Sequence, residues 1–242
     1  MKHKILLASL ATLSLGAPAF AAVTQTLGNS SVQANYDSQI SNTDLINQGS
    51  ANVLSVSTTG SVSTYPGDVA PFNNFNHLYD GGASTKVTNN DLSRNTYFDP
   101  GAFGTNPTIT FQFNTTANPA GYSLTSIQSI SGWADSRTFA NQVYNISYST
   151  VSAPTTFISL ASVNYKPFAD NSGGGSSDVL LTDTTGILAT NVSALKFSFI
   201  DNGGGAGQVF REIDVFGASV PEPTSIALAV MSCVGLLRRR RA

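Results

Sequence analysis

The feature that most constrains the fold is a series of short β-rich runs between residues 22 and 218, with no sustained 3.6-residue apolar period. Stretches rich in glycine, asparagine and aspartate, such as DNSGGGSSD and DNGGGAG, separate the runs and predict turns. Many short strands without intervening helices predict an all-β fold, an antiparallel sandwich or barrel. The predicted strands are NVLSVST (52–58), TITFQF (108–113), SLTSIQSIS (123–131), QVYNISYST (142–150), TFISLASVNY (156–165), SALKFSFI (193–200) and QVFREIDVFG (208–217).

Side-chain alternation predicts which residues of two strands are buried. Leu195, Phe197 and Phe199 share one apolar face of the run over 193–200. The run over 208–217 is predicted to have two faces, one with Val209, Arg211, Ile213 and Val215, the other with Phe210, Glu212, Asp214 and Phe216. The stretch 60–107 carries little strand signal, and we expect it to form long ordered loops at one end of the sandwich.

The N-terminal segment, residues 1–21, has the three parts of a secretory signal peptide in order. A basic start with Lys2 and Lys4 precedes an apolar run over 5–15, and Ala-Phe-Ala at 19–21 fits a cleavage site. We therefore expect export, with residues 1–21 removed and the folded domain beginning at residue 22.

Charge is sparse and unevenly placed along the chain. Charged residues make up 11% of the sequence, against about 25% in an average domain. Six of the 12 Lys and Arg residues lie at the two termini, so the body at 22–218 has six basic and 13 acidic residues. Such a body lacks the positive surface that nucleic-acid binding needs, and we expect no nucleic-acid partner. The one cysteine, Cys233, lies outside the body, which excludes a disulfide within it.

The body lacks the residue sets that most enzymes use, and we predict a non-enzymatic protein. Its one histidine is His77 and its one glutamate is Glu212. Serine-nucleophile chemistry would need His77 as its base, and no nucleophile motif marks a partner serine. Zinc sites use sets of His or Cys ligands, which this body does not contain. A hydrolase built on aspartates near His77 is the less favoured alternative.

The C-terminal segment, residues 219–242, combines a hinge, an apolar run and a basic cluster. Pro221 and Pro223 flank Glu222, and the apolar run over 224–237 has 14 residues, fewer than the roughly 20 that span a bilayer comfortably. By the positive-inside rule, four arginines hold the end of the segment on the cytoplasmic side. We predict a short hydrophobic helix that anchors the chain transiently in the inner membrane. The basic cluster consists of Arg238, Arg239, Arg240 and Arg241.

This order of hinge, apolar run and arginine cluster resembles the PEP-CTERM sorting signal of Gram-negative bacteria. The resemblance implies processing near Pro-Glu-Pro by an exosortase in the inner membrane. It also implies delivery to the cell surface or to the extracellular polysaccharide matrix. The N-terminal signal supports the same interpretation independently.

Three stretches of the body, taken in order, resemble the galactose-binding-like β-sandwich, also called the discoidin or coagulation-factor 5/8 type C fold. They are HLYDGG (77–82), LTSIQSISGWADSRTFANQVYNISYST (124–150) and ATNVSALKFSFIDNGGGAGQVFREIDVFG (189–217). The resemblance implies one jelly-roll sandwich over 22–218. The stretch 83–107 is longer than a typical connection in that family, and the two terminal cysteines that many eukaryotic members pair are absent.

The same resemblance implies a candidate metal site. Many members of that family hold a structural Ca²⁺ between the early Asp-Gly turn and the glutamate of the last strand. Carried over by motif, these positions are Asp80 and Glu212, with Thr85 as a further oxygen donor, and calcium prefers oxygen ligands of these kinds. The alternative, equally open here, is that Asp80 starts a turn and Glu212 pairs with an arginine.

Two stretches contain candidates for binding a sugar. GWADSR places Trp133, Asp135 and Arg137 together, which puts an aromatic ring beside charged groups. The favoured interpretation is a packed tryptophan beside an Asp135–Arg137 ion pair, because a lone tryptophan usually packs. The loop over 65–79 adds further candidates, which would bind carbohydrate if exposed and would hold the loop in place if buried: Tyr65, His77 and Tyr79.

Together these observations predict an exported, exosortase-sorted protein of the cell surface or extracellular matrix, which binds or organises extracellular polysaccharide. One alternative is a structural matrix protein without a ligand site, which requires that Trp133 and the aromatic residues of 65–79 are buried. The polymer hydrolase is the other.

Overall fold

The computed structural model describes residues 22–31, 39–60, 75–82, 96–98, 106–133, 136–201 and 207–222, with the backbone alone at 96–98. The predicted signal peptide, residues 223–242 of the sorting segment, and Tyr65, Thr85 and Asp135 lie outside the described residues. All seven predicted runs form strands. The strands are Val23–Ser30 (β1), Val53–Thr59 (β2), Thr96–Phe98 (β3), Thr108–Phe113 (β4), Tyr122–Trp133 (β5), Gln142–Thr150 (β6), Ala153–Tyr165 (β7), Gly175–Asp183 (β8), Ala189–Phe199 (β9) and Gln208–Ser219 (β10).

The strands form two five-stranded antiparallel sheets that pack face to face. Sheet I has the order β1-β8-β5-β10-β3 and sheet II the order β2-β4-β9-β6-β7. A short pairing of β5 with β9 at Tyr122 and Leu124 joins the two sheets. Between them, the ring of Phe210 from sheet I meets Tyr144 and Phe199 from sheet II, with centroids 5.7 and 5.0 Å apart. The predicted antiparallel β-sandwich is confirmed.

The registers define two ends of the sandwich. Strand β5 begins at Tyr122, beside Ser219 of β10 and Val192 of β9, and ends at Trp133, beside Gly175 of β8. We call the Tyr122 end the tail end, because β10 leaves the fold there, and the opposite end the distal end. The distal end carries the turns over 136–141 and 166–174, and the tail end carries the turns over 114–121, 151–152 and 184–188.

The core between the sheets is apolar, with polar groups toward the distal end. The three residues predicted to share the apolar face of β9 are all fully buried. Gln208, also fully buried, accepts a hydrogen bond from the Val143 N–H and donates one to the Ile200 carbonyl, each at 2.5 Å. One side chain of β10 thus satisfies backbone groups at the start of β6 and just past the end of β9.

The alternation predicted for β10 is wrong at the start of the strand. A register shift between Phe210 and Glu212 makes Arg211 an extra residue opposite β5, which is the pattern of a β-bulge. Phe210 therefore joins Ile213 and Val215 in the core, although strict alternation separates them. Sequence periodicity cannot show a bulge, because the extra residue is accommodated only when the partner strand is in place.

Three strands, β1, β3 and β8, were not predicted from the sequence. Strand β8 starts inside DNSGGGSSD, which predicts a turn because glycine and serine favour turns over strands. Because Gly175 has no side chain, Arg137 can pack directly against its backbone; an added Cβ would come within 2.6 Å of the Arg137 Cβ. Ser177 is fully buried there and donates to the Ala140 carbonyl. Close packing, rather than β propensity, makes this stretch a strand.

Two segments, 39–48 and 75–82, close the sandwich along β10. The Leu45 N–H donates to the Val215 carbonyl and the Gln48 N–H to the Tyr79 carbonyl, both at 2.8 Å. The ring of Tyr79, 7% exposed, packs edge-on against Phe111 at 5.0 Å. The part of 60–107 seen here therefore covers a side of the sandwich, whereas we expected loops at one end. None of the described residues forms a helix long and apolar enough to cross a bilayer.

Candidate functional site

Four carboxylates form an acidic cluster where segments 39–48 and 75–82 cover β10. Glu212 and Asp214 occupy alternate positions of the strand and are both fully buried. Asp44, 4% exposed, and Asp80 approach from the two covering segments, close enough for their charges to act on Glu212. We call these four residues the acidic cluster.

Two members of the acidic cluster fasten segment 39–48 to β10. Oδ1 of Asp44 accepts hydrogen bonds from the N–H groups of Ile46, at 2.9 Å, and Val215, at 3.1 Å. Oδ2 of Asp214 accepts from the Ser41 N–H at 3.0 Å. Strand β3 pairs with only three residues of β10. The contacts from segment 39–48 provide hydrogen-bond partners for the edge of β10 beyond that pairing, so this segment takes the place of a neighbouring strand.

The other two members meet at the Asp-Gly-Gly turn. Oε1 of Glu212 accepts from the Gly81 N–H at 3.2 Å, and Oδ2 of Asp80 lies 3.0 Å from Nδ1 of His77. Gly81 has φ of 75°, a left-handed conformation that favours glycine. The structure thus brings together Asp80 and Glu212, the pair that the family resemblance implies. Oδ1 of Asp80 also accepts from the Gly82 N–H at 3.1 Å, so Asp80 does start a turn, as the alternative interpretation has it. The ion pairs of the described residues do not include Glu212, so the arginine partner in that alternative gains no support.

Burial raises the pKa values of Asp44, Glu212 and Asp214, and repulsion between carboxylates adds to it for Glu212 and Asp214. The pKa of Glu212 is raised to about 10, first by burial and then by the negative charge of Asp214. Burial also raises the pKa of Asp214 to about 7, and it raises that of Asp44. Buried acids that repel each other favour a bound proton or a bound cation at the site.

Three oxygen atoms of the cluster are buried without a hydrogen-bond partner among the described residues: Asp44 Oδ2, Glu212 Oε2 and Asp214 Oδ1. Unpaired buried oxygens of this kind suit a hard cation such as Ca²⁺. Within the described part of the chain, no three His, Cys, Asp or Glu side chains are placed to hold one ion. An ion bound by Asp80 and Glu212 would therefore need backbone carbonyl or hydroxyl oxygens as its other ligands. Thr85, the third predicted ligand, lies outside the described residues.

At the distal end, Arg137 begins a 3-10 helix that runs to Ala140 directly after β5. Its guanidinium donates to Oδ2 of Asp170 and lies over the ring of Phe168, 5.8 Å from the centroid. The arginine side chain is 24% exposed and the aspartate 56%. The hydrogen bond from Arg137 holds the pKa of Asp170 well below its usual range. The predicted partner, Asp135, lies outside the described residues, and the carboxylate that pairs with Arg137 is 33 positions further along the chain.

Further polar side chains continue this surface. The Thr138 hydroxyl donates to Oδ1 of Asn171, and the Ser172 N–H and hydroxyl donate to Oδ1 of Asp170, at 2.9 and 2.5 Å. The group therefore presents hydroxyl, amide and charged side chains from two turns on one exposed surface. We call it the distal ledge: Arg137, Thr138, Asp170, Asn171 and Ser172.

The predicted aromatic candidates are largely buried. Trp133 is 5% exposed and packs against Phe139 at 6.0 Å between centroids, so its ring lacks an open face for a sugar. Tyr79 packs in the core, and half-buried His77 contacts Asp80. His77 and Tyr79 therefore belong to the cover of the acidic cluster. Of the predicted ligand-binding residues that the structure describes, Arg137 alone is part of the distal ledge.

Sequence reasoning missed Phe168 beneath Arg137, and it also missed six members of these two sites: Asp44, Thr138, Asp170, Asn171, Ser172 and Asp214. Asp214 shares a predicted face of β10 with Glu212, and this pattern could have identified it. Asp44 follows Ser41 in a turn-like stretch, but nothing local shows that it reaches β10. Asp170 and Phe168 precede a glycine-rich run, which indicates a turn and gives no sign of Arg137 as a partner.

No protein-family model matches the chain, and no curated protein matches it. Among solved structures, the chain is similar to CpGH89CBM32-5 from Clostridium perfringens, solved in complex with GalNAc-β-1,3-galactose. The TM-score is 0.41 at 14% identity, over 67% of this chain and 94% of that one. It is also similar to chitosan-binding module 1 from a chitosanase/glucanase of Paenibacillus sp. IK-5, with a TM-score of 0.40 at 14% identity, over 72% and 98% of the two chains.

A third similar structure is an F5/8 type C domain from Bacteroides fragilis, with a TM-score of 0.39 at 12% identity, over 69% of this chain and 92% of that one. All three TM-scores are below 0.5. The description of the fold therefore depends on the strands and registers of this chain alone.

Proposed function

We propose that the chain is an exported, non-enzymatic protein of the cell surface or extracellular matrix, which binds extracellular polysaccharide through the distal ledge. The observation that supports this most is the partly exposed Arg137–Asp170 pair, with the guanidinium packed over Phe168. A fixed guanidinium donates to two sugar hydroxyls at once, and a carboxylate accepts from two. Because Phe168 and Trp133 are buried, hydrogen bonds rather than ring stacking supply the specificity.

The binding proposal is tested on a polysaccharide array with residues 22–222. We expect the parent to bind a small set of polymers, and Arg137→Ala to lower the affinity about tenfold or more, because a hydrogen bond to a charged group contributes about 1.5–3 kcal/mol. Lys196→Ala is the matched control, since this cation lies on sheet II, 4.2 Å from the Phe157 centroid. An array without any bound polymer, or an equal loss in both variants, would contradict the proposal.

A structural matrix protein without a ligand site is the second candidate. The burial of Trp133 and Tyr79 favours it, since this interpretation requires packed aromatic residues. The same array distinguishes the two candidates. A hydrolase would need aspartates that converge on His77. Asp80 contacts His77 at 3.0 Å, but Asp44 and Asp214 are buried, and a catalytic carboxylate must touch its substrate, so this candidate is less favoured.

The proposed delivery of the chain to the cell surface or matrix depends on the sequence of residues 219–242. We infer that an exosortase-type enzyme processes the chain near Pro221-Glu222-Pro223 after transient anchoring in the inner membrane. Replacing all three residues by alanine should leave full-length chain in the membrane fraction of an exosortase-containing host. Release of this variant at the parent rate would argue against the sorting role.

We also propose a structural Ca²⁺ with Asp80 and Glu212 as ligands and Thr85 as a further oxygen donor. The support is the buried, unpaired Oε2 of Glu212 within a cluster of mutually repelling carboxylates. When bound, the ion would neutralise this repulsion and hold segment 75–82 on β10. It would have no part in a reaction.

The calcium proposal is tested by thermal unfolding of residues 22–222 in EDTA and in Ca²⁺. At an ion concentration 100 times Kd, we expect a stabilisation of about 2.7 kcal/mol. Glu212→Gln keeps the shape of the side chain but should lose most of this gain, whereas Asp170→Asn, an exposed acid on the distal ledge, should keep it. An unfolding temperature that is the same in EDTA and in Ca²⁺ would rule the site out.

A further inference from the structure

The C-terminal strand fixes where the sorting segment leaves the fold. Strand β10 stays paired with β5 as far as Ser219, and the Val220 N–H still donates to the Gly121 carbonyl at 2.8 Å. Pro221 and Glu222 follow directly and are exposed. The first strand, β1, also begins at the tail end, opposite the last residue of β8. Both ends of the described fold are therefore at the tail end.

Little chain separates the tail end from the apolar run that begins at Thr224. The three residues 221–223 span at most about 10 Å when fully extended. As a helix, the 14 residues of 224–237 are about 21 Å long, shorter than a hydrocarbon layer of about 30 Å. A segment this short draws its flanking residues toward the headgroups. The tail end of the sandwich must then lie at the membrane surface for as long as residues 224–237 are embedded in the bilayer.

The charge distribution of the sandwich suits this position. In the described tail-end turns and the residues that flank them, the charged side chains are Glu222 and Asp183, of which Asp183 is 6% exposed and accepts from the Thr185 N–H at 2.7 Å. The turns expose Ala117, Pro119 and Ile187, the last at 47%. Moving uncharged turns into the headgroup region avoids the cost of desolvating charges. The described tail-end turns are 50–52, 114–121, 151–152, 184–188 and 220–222. The distal end, by contrast, carries Arg137, Lys166, Asp170 and Asp201.

We propose that, before processing, the sandwich stands on its tail end, with turns 114–121 and 184–188 against the lipid headgroups and the distal ledge facing away from the bilayer. This inference rests on the proposed role of residues 219–242 as a membrane segment. The 12 residues of β5 place the ledge about 40 Å from the tail end. Before processing, the anchored protein thus directs the ledge away from the inner membrane and holds Pro221-Glu222-Pro223 at the membrane surface, where a membrane enzyme acts.

The test uses residues 22–242, the chain expected after removal of the signal peptide, with Cys233→Ser, reconstituted into vesicles of phosphatidylethanolamine and phosphatidylglycerol. Single cysteines replace Ala117 at the tail end and Ala169 at the distal end, two exposed alanines that form a matched pair. Each carries an environment-sensitive fluorophore, and the vesicles contain a lipid with a nitroxide on its headgroup. We expect the label at 117 to lose most of its fluorescence and the label at 169 to keep most of it.

A control chain carries 12 glycine and serine residues inserted between Glu222 and Pro223. A flexible linker of this length has a root-mean-square extension of about 20 Å, so the label at 117 should recover much of its fluorescence. Equal quenching at 117 and 169 in chains that float with the vesicles would overturn the orientation while leaving the membrane role of the tail intact. Chains that do not float with the vesicles would overturn both.

Discussion

Gln208 shows how one buried polar residue can connect strands of both sheets. Replacing it with leucine removes the partner of the buried Val143 N–H, at a cost of about 1–3 kcal/mol, and that of the half-buried Ile200 carbonyl, at a smaller cost. We expect Gln208→Leu to lower the free energy of unfolding by about 2–4 kcal/mol, measured by urea denaturation at 25 °C. Gln39→Ala, which removes an exposed side chain bonded to Gln128, should change it little. A loss for Gln208→Leu as small as that of the control would show that other groups satisfy this part of the core.

The residues of the two sites differ in how far the sequence could predict them. Asp80 and Glu212 were identified by family resemblance, and the structure brings them together through the Gly81 N–H. Asp44 was not, because its contact with Val215 joins positions 171 residues apart and leaves no local pattern. The carboxylate partner of Arg137 was missed for the same reason, since Asp170 comes from a separate turn.

At the scale of elements, β10 has three roles in the fold. It pairs with β5 and β3, it carries two of the four carboxylates of the acidic cluster, and it sets the place where residues 220–222 leave the sandwich. Gly217 allows its second register shift, because an added Cβ would lie 2.0 Å from the Ser123 carbonyl oxygen of β5. We expect Gly217→Ala to cost at least about 3 kcal/mol in equilibrium unfolding, because backbone rather than a side chain must move.

Gly186→Ala is the control for this strand contact. Gly186 has φ of 82° but open space where a Cβ would lie, so the substitution should cost only the strain of a left-handed residue, about 1–2 kcal/mol. If Gly217→Ala proved the milder of the two, β5 and β10 would be able to shift apart at little cost.

Elements were predicted well where apolar and polar residues alternate, and poorly where packing decides. The run over 108–113 matches β4, and that over 142–150 matches β6. Strand β8 was missed because Gly175 and two serines begin it, and these become a strand only with Arg137 and Phe168 packed against them. The bulge at Arg211 was missed for a similar reason, because it forms only when β10 pairs with β5.

At the scale of the whole molecule, the acidic cluster links stability to pH. Without a metal ion, the folded chain holds protons on Glu212 and Asp214 that the unfolded chain releases, because their folded pKa values are raised to about 10 and about 7. The free energy of unfolding must then fall as pH rises above the ordinary carboxyl range, between about pH 4 and these values. Asp170 and Asp183, whose pKa values are lowered, titrate below this window.

We therefore expect residues 22–222 in EDTA to be less stable at pH 8 than at pH 5, as measured by urea denaturation. Saturating Ca²⁺ should remove most of the difference, because the ion replaces the protons. A variant with both Glu212→Gln and Asp214→Asn should show a flatter profile in EDTA. Stability that rises from pH 5 to pH 8 in EDTA would contradict the electrostatics of the cluster.

The amino-acid sequence by itself determined the fold class, and it is the basis of the proposal on export and sorting, because both depend on local patterns. Alternating β-rich runs predict strands wherever they lie, and the hinge, apolar run and arginines of residues 219–242 are contiguous. The tertiary structure decided how four acids from three distant segments meet, which partner Arg137 takes, and that the tail leaves opposite the distal ledge. These features depend on strand pairing and burial between residues far apart in the chain, and no local pattern encodes such contacts.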